Sequence, residues 1–314
     1  MGDQISLSRI RELNLLAAFA PGRPPFLSAA SGLVAVGNHL YVVADDEHLL
    51  GVFPRFGDAA GTGIRLLPGD LPLDPKSRKK QKPDFETLTQ LPAFDGYPGG
   101  ALLAFGSGSR TSRSRGALLG LDACGGVVGE TCPVDLAPLY AELGQRLHGL
   151  NVEGAAVVND QLWLFQRGNS RDASSACIRL SLPQVLAALS TGLPLSGEML
   201  AGISPVTLGD VDGVPLGFTD ATCLSQGQII FCAVAEDVDN AYSDGKCMGA
   251  SIGLLDQDAR VQWIRRLETT CKVEGIAATI DGDGWRILLV TDADDPSIPA
   301  QLLTAPFRAD GSPC

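Results

Sequence analysis

The sequence lacks the common motifs that bind nucleotides, hold a catalytic nucleophile or bind zinc. No GxGxxG follows an apolar run of strand character, and no GxxxxGK[ST] occurs, so there is neither a dinucleotide fingerprint nor a phosphate loop. The GxSxG nucleophile elbow and HExxH are also missing. None of the eight cysteines forms a CxxC or a Cys/His cluster with zinc spacing. These absences argue against a two-domain α/β protein and against a cysteine-based zinc site.

The sequence is also poor in positive charge and in long apolar runs. Its formal net charge of −12 argues against a nucleic-acid surface and is compatible with binding a cation. No apolar run approaches the ~18–20 residues that cross a bilayer, so we expect no membrane partner. The N-terminus lacks the apolar core and cleavage site of a signal peptide. We therefore expect a soluble cytoplasmic protein, or a periplasmic one if a signal peptide has been removed.

What the sequence has instead is a weak internal repeat of about 61 residues. Each copy runs from an acid or serine through a small residue, an apolar run, a turn and a second apolar run to a polar cluster. The five copies are SGLVAVGNHLYVVADDEH, DFETLTQLPAFDGYPGGALLAFGSGSR, LNVEGAAVVNDQLWLFQRGN, FTDATCLSQGQIIFCAVAEDVDN and VEGIAATIDGDGWRILLVTDADD. Their opening residues are Ser31, Glu86, Glu153, Asp220 and Glu274.

Each copy contains two strands joined by a turn, and a third or fourth apolar segment often follows. Three or four antiparallel strands per ~60 residues are typical of a propeller blade. The sequence thus predicts an all-β, five-bladed β-propeller forming one domain over residues 1–314, with blades opening near 31, 86, 153, 220 and 274. Helical periodicity predicts short helical insertions at 134–147 and 182–190. Segment 11–19 is predicted to complete the last blade and close the ring, and the Pro- and Lys-rich loop 67–84 is predicted to be mobile.

The five opening residues would meet at the channel, because the innermost strand of each propeller blade lines it. Four carboxylates so placed repel one another, at roughly 4 kcal/mol for each pair ~4 Å apart in an effective dielectric of ~20. Protonation, a bound metal, or the nearby cations Lys82, Arg110, Arg167 and Lys272 would cancel this charge. An oxygen-only ring favours Ca²⁺ over zinc or copper. Alternatively, the acids cap strands or bond to backbone amides.

A second polar cluster follows the second strand of each copy. Its members are Asp45, Asp46, Glu47 and His48; Ser107, Ser109 and Arg110; Arg167 and Asn169; Glu236, Asp237, Asp239 and Asn240; and Asp292, Asp294 and Asp295. If the second strand returns to the face where the first began, both clusters lie at one mouth of the channel. Arg110 and Arg167 would then hold a small anionic ligand over the metal, since guanidinium groups pair bidentately with phosphate or carboxylate.

The series SGL…FETL…VEGAA…FTDAT…VEGIA resembles an uncharacterised bacterial family of five-bladed propellers with no assigned activity. More distantly, it resembles the calcium-activated nucleotidases (apyrases) and the esterase-like, phytase-related propellers. In the nucleotidases, Ser and Glu side chains of five blades hold one axial Ca²⁺ at the active site. The resemblance implies this metal-binding role for Ser31, Glu86, Glu153, Asp220 and Glu274, although the nucleotidase pattern expects Ser at position 220.

Two functions are consistent with these patterns. The first is a Ca²⁺-dependent hydrolase of phosphoric or carboxylic esters, in which Glu153 or Glu274 takes a proton from water while Arg110 and Arg167 stabilise negative charge. The second is a non-catalytic propeller that binds a metabolite or a protein partner and contains a structural axial Ca²⁺. The sequence predicts neither the substrate nor the oligomeric state.

Overall fold

The computed structural model describes residues 4–167, 174–224, 227–237, 245–308 and 312–313. Two short strands come first, β1 (Ile5–Ser6) and β2 (Ser8–Glu12). Blade 1 consists of β3 (Ala30–Val36), β4 (His39–Ala44), β5 (Leu49–Pro54) and β6 (Thr62–Arg65), and blade 2 of β7 (Phe85–Leu91), β8 (Ala101–Gly106), β9 (Arg115–Leu121) and β10 (Val127–Asp135). Blade 3 consists of β11 (Val152–Val158), β12 (Gln161–Gln166), β13 (Ser175–Ser181) and β14 (Leu200–Val206).

Blade 4 begins with the short edge strand β15 (Asp210–Val211) and continues with β16 (Val214–Cys223), β17 (Ile229–Asp237), β18 (Lys246–Leu255) and β19 (Val261–Glu268). Blade 5 contains β20 (Lys272–Asp281), β21 (Gly284–Asp292) and β22 (Gln301–Phe307). The strands β3, β7, β11, β16 and β20 contact one another in a closed circle and surround a central channel. The chain is therefore a five-bladed β-propeller, and the predicted fold class is confirmed.

The N-terminal segment closes the ring, but with a different strand from the predicted one. Strand β2 pairs with β22 as the outer strand of blade 5, and β1 pairs in parallel with β19 of blade 4. The segment predicted for this role, residues 11–19, overlaps β2 by only two residues. Its Leu13 and Leu15 are buried in the core between blades 1 and 5. The apolar run fills an inter-blade core, whereas the edge strand itself, SRIRE, is mostly exposed.

Two helices lie where the helical periodicity predicts them. These are α2 (Ala137–Arg146) and α3 (Leu182–Thr191), and both pack against the apolar core between blades 2 and 3. Helix α3 ends at Gly192, whose φ of 67° is a left-handed conformation that glycine adopts at little cost. No helix in the described ranges is long and apolar enough to cross a membrane.

The Pro- and Lys-rich loop, predicted to be mobile, contains a further helix. Helix α1 (Pro75–Gln81) is capped at its N-terminus by Asp74, whose carboxylate accepts a hydrogen bond from the backbone N–H of Ser77 at 2.8 Å. The Arg78 side chain is buried, with its guanidinium against Asp46 and Glu47 of blade 1. These ion pairs hold the segment against blade 1 in the folded protein. The hydrophilic composition of the segment did not indicate them.

Candidate functional site

β-bulges at the start of the inner strands turn three glutamates toward one end of the channel. In blades 2 to 5 the pairing of the inner strand with its neighbour skips one residue, and in blades 2, 3 and 5 that residue is Glu86, Glu153 or Glu274. In blade 1 the skipped residues are Ser31 and Gly32. A bulge places an extra residue outside the normal alternation and re-aims its side chain. All four predicted side chains, the three glutamates and Ser31, line the same cavity.

Blade 4 departs from the predicted pattern by one residue. Its pairing skips Thr219 and resumes with Asp220 opposite Cys232. Thr219 is therefore the counterpart of the three glutamates, and it has the hydroxyl group that the nucleotidase pattern expects. Its Oγ1 donates a hydrogen bond to the backbone oxygen of Val273 at 2.9 Å.

Asp220 is fully buried and does not line the cavity. Its carboxylate accepts hydrogen bonds from the backbone N–H groups of Ala221 at 2.8 Å and Ile276 at 3.0 Å. Burial raises the pKa of Asp220 well above its usual value, although backbone N–H groups, including that of Leu33, lower it. Asp220 therefore lies outside the cavity lining, and its role as a metal ligand stays a prediction. Its carboxylate accepts hydrogen bonds from backbone amides of the inner strands. This is the structural role given above as the alternative to metal binding.

The cavity at this mouth of the channel has a volume of about 710 Å³, which is suitable for a small ligand. Among the described residues, eleven carboxylate and seven cationic side chains line it. If all were ionised, the lining would carry an excess of four negative charges. Burial, with a further contribution from repulsion between neighbouring carboxylates, raises the pKa values of several of these acids.

Arg167 connects three of the acids. Its Nη1 lies 3.5 Å from Glu153 Oε2 and 4.0 Å from Glu274 Oε1, and its Nη2 lies 2.8 Å from Glu236 Oε2. Burial opposes the charge on Arg167, but these carboxylates outweigh burial and raise its pKa. The side chain fits because position 217 is glycine, where a Cβ atom would lie 2.7 Å from Arg167 Cγ. Arg167 thus partly neutralises the predicted ring.

Lys272 adds a second cation on the same side of the cavity. Its Nζ lies 2.8 Å from Glu236 Oε1, 3.0 Å from Glu274 Oε1 and 3.3 Å from Asp294 Oδ1. Burial raises the pKa of Glu274, against the opposing effect of Lys272 and Arg167. One of the three ways of cancelling the charge, pairing with neighbouring cations, is therefore present in this part of the cavity.

Glu153 and Glu86 hold their protons more tightly than ordinary glutamates. Burial raises the pKa of Glu153 to about 8, although Arg167 lowers it. Burial, followed by repulsion from Glu153 and Asp84, raises the pKa of Glu86 well above its usual value. Within the described ranges, no lysine, arginine or histidine nitrogen lies within 4 Å of the Glu86 carboxylate, which leaves it the least compensated acid of the three.

The oxygen atoms of Asp45, Asp84 and Glu86 all lie within 4.8 Å of one another. Oxygens that share a Ca²⁺ ion at 2.3–2.6 Å lie at most about 5 Å apart, so this donor set fits Ca²⁺. In this structure Lys82 is ion-paired with Asp45 and lies 2.9 Å from Asp84 Oδ1. The spacing suitable for a metal thus occurs among residues of blades 1 and 2, and only Glu86 of the predicted ring is part of it.

Arg110, predicted to bind an anion, is exposed and does not line the cavity. It precedes a single 3₁₀ turn, Thr111–Arg113, and this turn brings Arg113 into the cavity lining instead. The guanidinium of Arg113 pairs with Asp84 and donates to Ser109 Oγ at 2.8 Å. Arg110 has an extended backbone (φ −149°, ψ 158°) before the turn, whereas Arg113 lies within it. Arg113, rather than Arg110, is therefore the arginine of this segment that lines the cavity, and the anion-binding role of Arg110 stays a prediction.

The second polar cluster does return to the same mouth in blades 1, 3, 4 and 5. Its members that line the cavity are Asp45, Asp46, Arg167, Glu236, Asp237, Asp292, Asp294 and Asp295. Glu47 is buried behind them against Arg23 and Arg78. His48 does not line the cavity and its Nδ1 lies 3.1 Å from the backbone oxygen of Gly69. Asn169, Asp239 and Asn240 lie outside the described residues.

Comparison with protein families matches residues 26–306 to a family model described as a family of unknown function, DUF6929. The chain belongs to DUF6929. This membership agrees with the expected propeller family of unassigned activity, and the expected bacterial origin stays a prediction. No curated protein sequence matches this DUF6929 chain.

Solved structures similar to this DUF6929 chain have low sequence identities, and only one of the three described here has a TM-score above 0.5. A GH43 glycoside hydrolase is 12% identical, with a TM-score of 0.51 over 92% of this chain and 52% of its own. The mannose phosphorylase MPT-4 from Leishmania mexicana is 14% identical, with a TM-score of 0.49 over 95% of this chain and 88% of its own. A luciferin-regenerating enzyme is 11% identical, with a TM-score of 0.41 over 88% and 76%.

Proposed function

We propose that this DUF6929 chain is a Ca²⁺-dependent hydrolase of small phosphoric or carboxylic esters that acts at the mouth cavity. The observation that supports it is Glu153, a buried carboxyl with a pKa of about 8, which lines a cavity of about 710 Å³. The same cavity contains three carboxylates whose spacing suits Ca²⁺. A group with a pKa near the working pH is effective in proton transfer.

The proposed metal ligands are Asp45, Asp84 and Glu86. Bound there, Ca²⁺ would polarise the ester oxygen and make a water molecule more acidic. Glu86 is suited to this role because its carboxylate has no cationic partner within 4 Å among the described residues, while its pKa is raised. Its deprotonation would accompany metal binding.

Glu153 is the proposed general base, and it accepts the proton of the attacking water. Arg167, 3.5 Å away, orients its carboxylate and stabilises its ionised form. Glu274 acts in the opposite direction and raises the pKa of Glu153, so these two neighbours together adjust its basicity. Arg113 and Arg167 are the cations available to stabilise negative charge that develops on the substrate.

The decisive experiment measures hydrolysis by the full chain against a panel of phosphate esters, nucleotides, lactones and acyl esters, with Ca²⁺ or with EDTA. We expect turnover only with Ca²⁺, increasing with pH up to about 8. Glu153→Gln should lower kcat by about 10²–10⁴-fold. Glu130→Gln, at an exposed position on β10, is the matched control and should retain activity.

If EDTA lowers the Tm while none of these substrates is hydrolysed, the hydrolase proposal is wrong and the chain is a non-catalytic propeller with a structural ion.

We propose that the activity is cytoplasmic. Cys124 and Cys132 are exposed and free, which supports a reducing compartment.

A further inference from the structure

The charge balance of the mouth cavity distinguishes between the two classes of ester. At least six of the seven cations that line it already lie within 4 Å of a carboxylate, among them Arg23, Arg78, Lys82, Arg113, Arg167 and Lys272. A phosphate dianion would need to displace these pairs, because phosphate is normally recognised by arginines and lysines. One Ca²⁺ ion reduces the formal excess from four negative charges to two and does not reverse it. An uncharged reacting group meets no such repulsion.

Leu73 supplies an apolar surface at the edge of this charged cavity. It lines the cavity although 59% of its surface is exposed. A single exposed leucine is unremarkable on a protein surface, but Leu73 is held in place. The adjacent Pro72 oxygen accepts a hydrogen bond from the buried Arg78 at 2.9 Å, and Arg78 is in turn ion-paired with Glu47.

Leu73 also packs closely on Gly22, where an added Cβ atom would lie 2.9 Å from Leu73 Cδ1. Further apolar residues that are exposed or half-buried also line the cavity, namely Pro75 beside Leu73, Val214 and Pro215 from blade 4, and Pro296 between β21 and β22. Together with Leu73 they form the rim. A cavity with buried charged groups and this apolar rim suits a ligand whose reacting group is polar and whose substituent is not.

From this arrangement we infer that the cavity selects an uncharged carboxylic ester with an apolar acyl group over a phosphoric ester, and that Leu73 is a specificity-determining residue that contacts the acyl chain. This inference rests on the proposed hydrolase function and names its substrate class. The acyl chain lies along the rim at Leu73, and the ester carbonyl reaches the carboxylates below.

A set of esters with one shared leaving group tests the inference on the full chain. The substrates are 4-nitrophenyl acetate, butyrate and hexanoate, together with 4-nitrophenyl phosphate, all in the presence of Ca²⁺. Burial of one methylene changes an equilibrium by about fourfold, so kcat/KM should increase up to about fourfold for each methylene that reaches the rim. The phosphate should be hydrolysed at least 100-fold less efficiently than the butyrate.

Leu73→Ser should reduce the dependence on acyl length, while acetate hydrolysis changes little. Leu193→Ser is the matched control, since Leu193 is 61% exposed and lies outside the cavity lining. Preference for the phosphate, or the same dependence on acyl length in Leu73→Ser and in the unmodified chain, would overturn the inference.

Binding of 4-nitrobutyranilide, the amide counterpart of the butyrate, separates this inference from the proposed function. If the anilide binds, Leu73→Ser weakens this binding several-fold and no ester is turned over, the apolar subsite is supported and the hydrolase proposal is refuted. If the anilide does not bind and no ester is turned over, both are refuted. Calorimetric titration provides the measurement.

Discussion

Replacing Glu153 by glutamine should stabilise the metal-free protein at neutral pH. Folding raises the pKa of this carboxyl from an ordinary value of 4.5 to about 8. Such a group contributes its full stabilisation below pH 4.5, and that contribution is lost progressively as the pH rises to about 8. Glutamine does not ionise, so the variant avoids this loss.

The magnitude follows from the pH interval over which the native state binds the extra proton. At pH 7, about 2.5 pH units above the ordinary pKa, the loss amounts to about 3 kcal/mol, at about 1.4 kcal/mol per pH unit. The new side chain retains an oxygen that can accept the hydrogen bond from Asn151 Nδ2. It gives up the charge contact with Arg167, which still pairs with Glu236 at 2.8 Å. We therefore expect a net gain of about 1–3 kcal/mol in the free energy of unfolding.

Urea denaturation in EDTA at pH 5, 7 and 8.5 provides the measurement. The gain of Glu153→Gln over the unmodified chain should be smallest at pH 5 and should increase toward pH 8.5. Glu130→Gln, with its exposed side chain, should not differ from the unmodified chain. If Glu153→Gln is less stable at pH 7, or differs by the same amount at all three pH values, Glu153 is an ordinary ionised partner of Arg167 and the reasoning is refuted.

Three further predictions address the metal, the arginine and the buried aspartate. Ca²⁺ affinity should fall as the pH is lowered, by up to about tenfold per pH unit for each proton released, because Glu86 must deprotonate. Calorimetry in buffers of different ionisation enthalpy measures this, and a pH-independent affinity would contradict it. Gly217→Ala should crowd Arg167 and cost about 1–3 kcal/mol in urea denaturation. Gly202→Ala, with its nearest contact at 3.6 Å, should cost less, and equal costs would remove the steric argument. Asp220→Asn should cost about 1–3 kcal/mol with unchanged Ca²⁺ affinity, and a loss of affinity would make Asp220 a ligand after all.

The architecture was predictable because every blade repeats one short pattern of acid or serine, apolar hairpin and polar tip. The closing strand was harder to find. Its sequence, SRIRE, lies at an edge and is largely exposed, so it shows little apolar alternation. The neighbouring LNLLAAF looks more like a strand, but its leucines are needed between blades 1 and 5.

The site was predictable where the opening motif has the same register in each blade. VEG occurs in blades 3 and 5, and the glutamate of each lines the cavity. In FTDAT, matching acid to acid placed Asp220 in the ring, whereas the bulge gives that position to Thr219. Matching the residue that follows the buried apolar residue before each bulge, as in FE, VE and FT, would have found Thr219. No sequence motif indicated Arg113 and Arg78, because the acids with which they pair, Asp84 and Glu47, are distant in sequence.

The pairing of the N-terminal strand β2 with β22 has a consequence for how the protein folds. Ser8 pairs with Thr304, and Arg11 donates hydrogen bonds to the backbone oxygens of Gly57 and Ala59 beside blade 1. Blade 5, which contains Glu274, is therefore complete only when two segments that are far apart in sequence have paired. Contacts of large sequence separation form slowly, so we expect the closure of the ring to be a late step in folding.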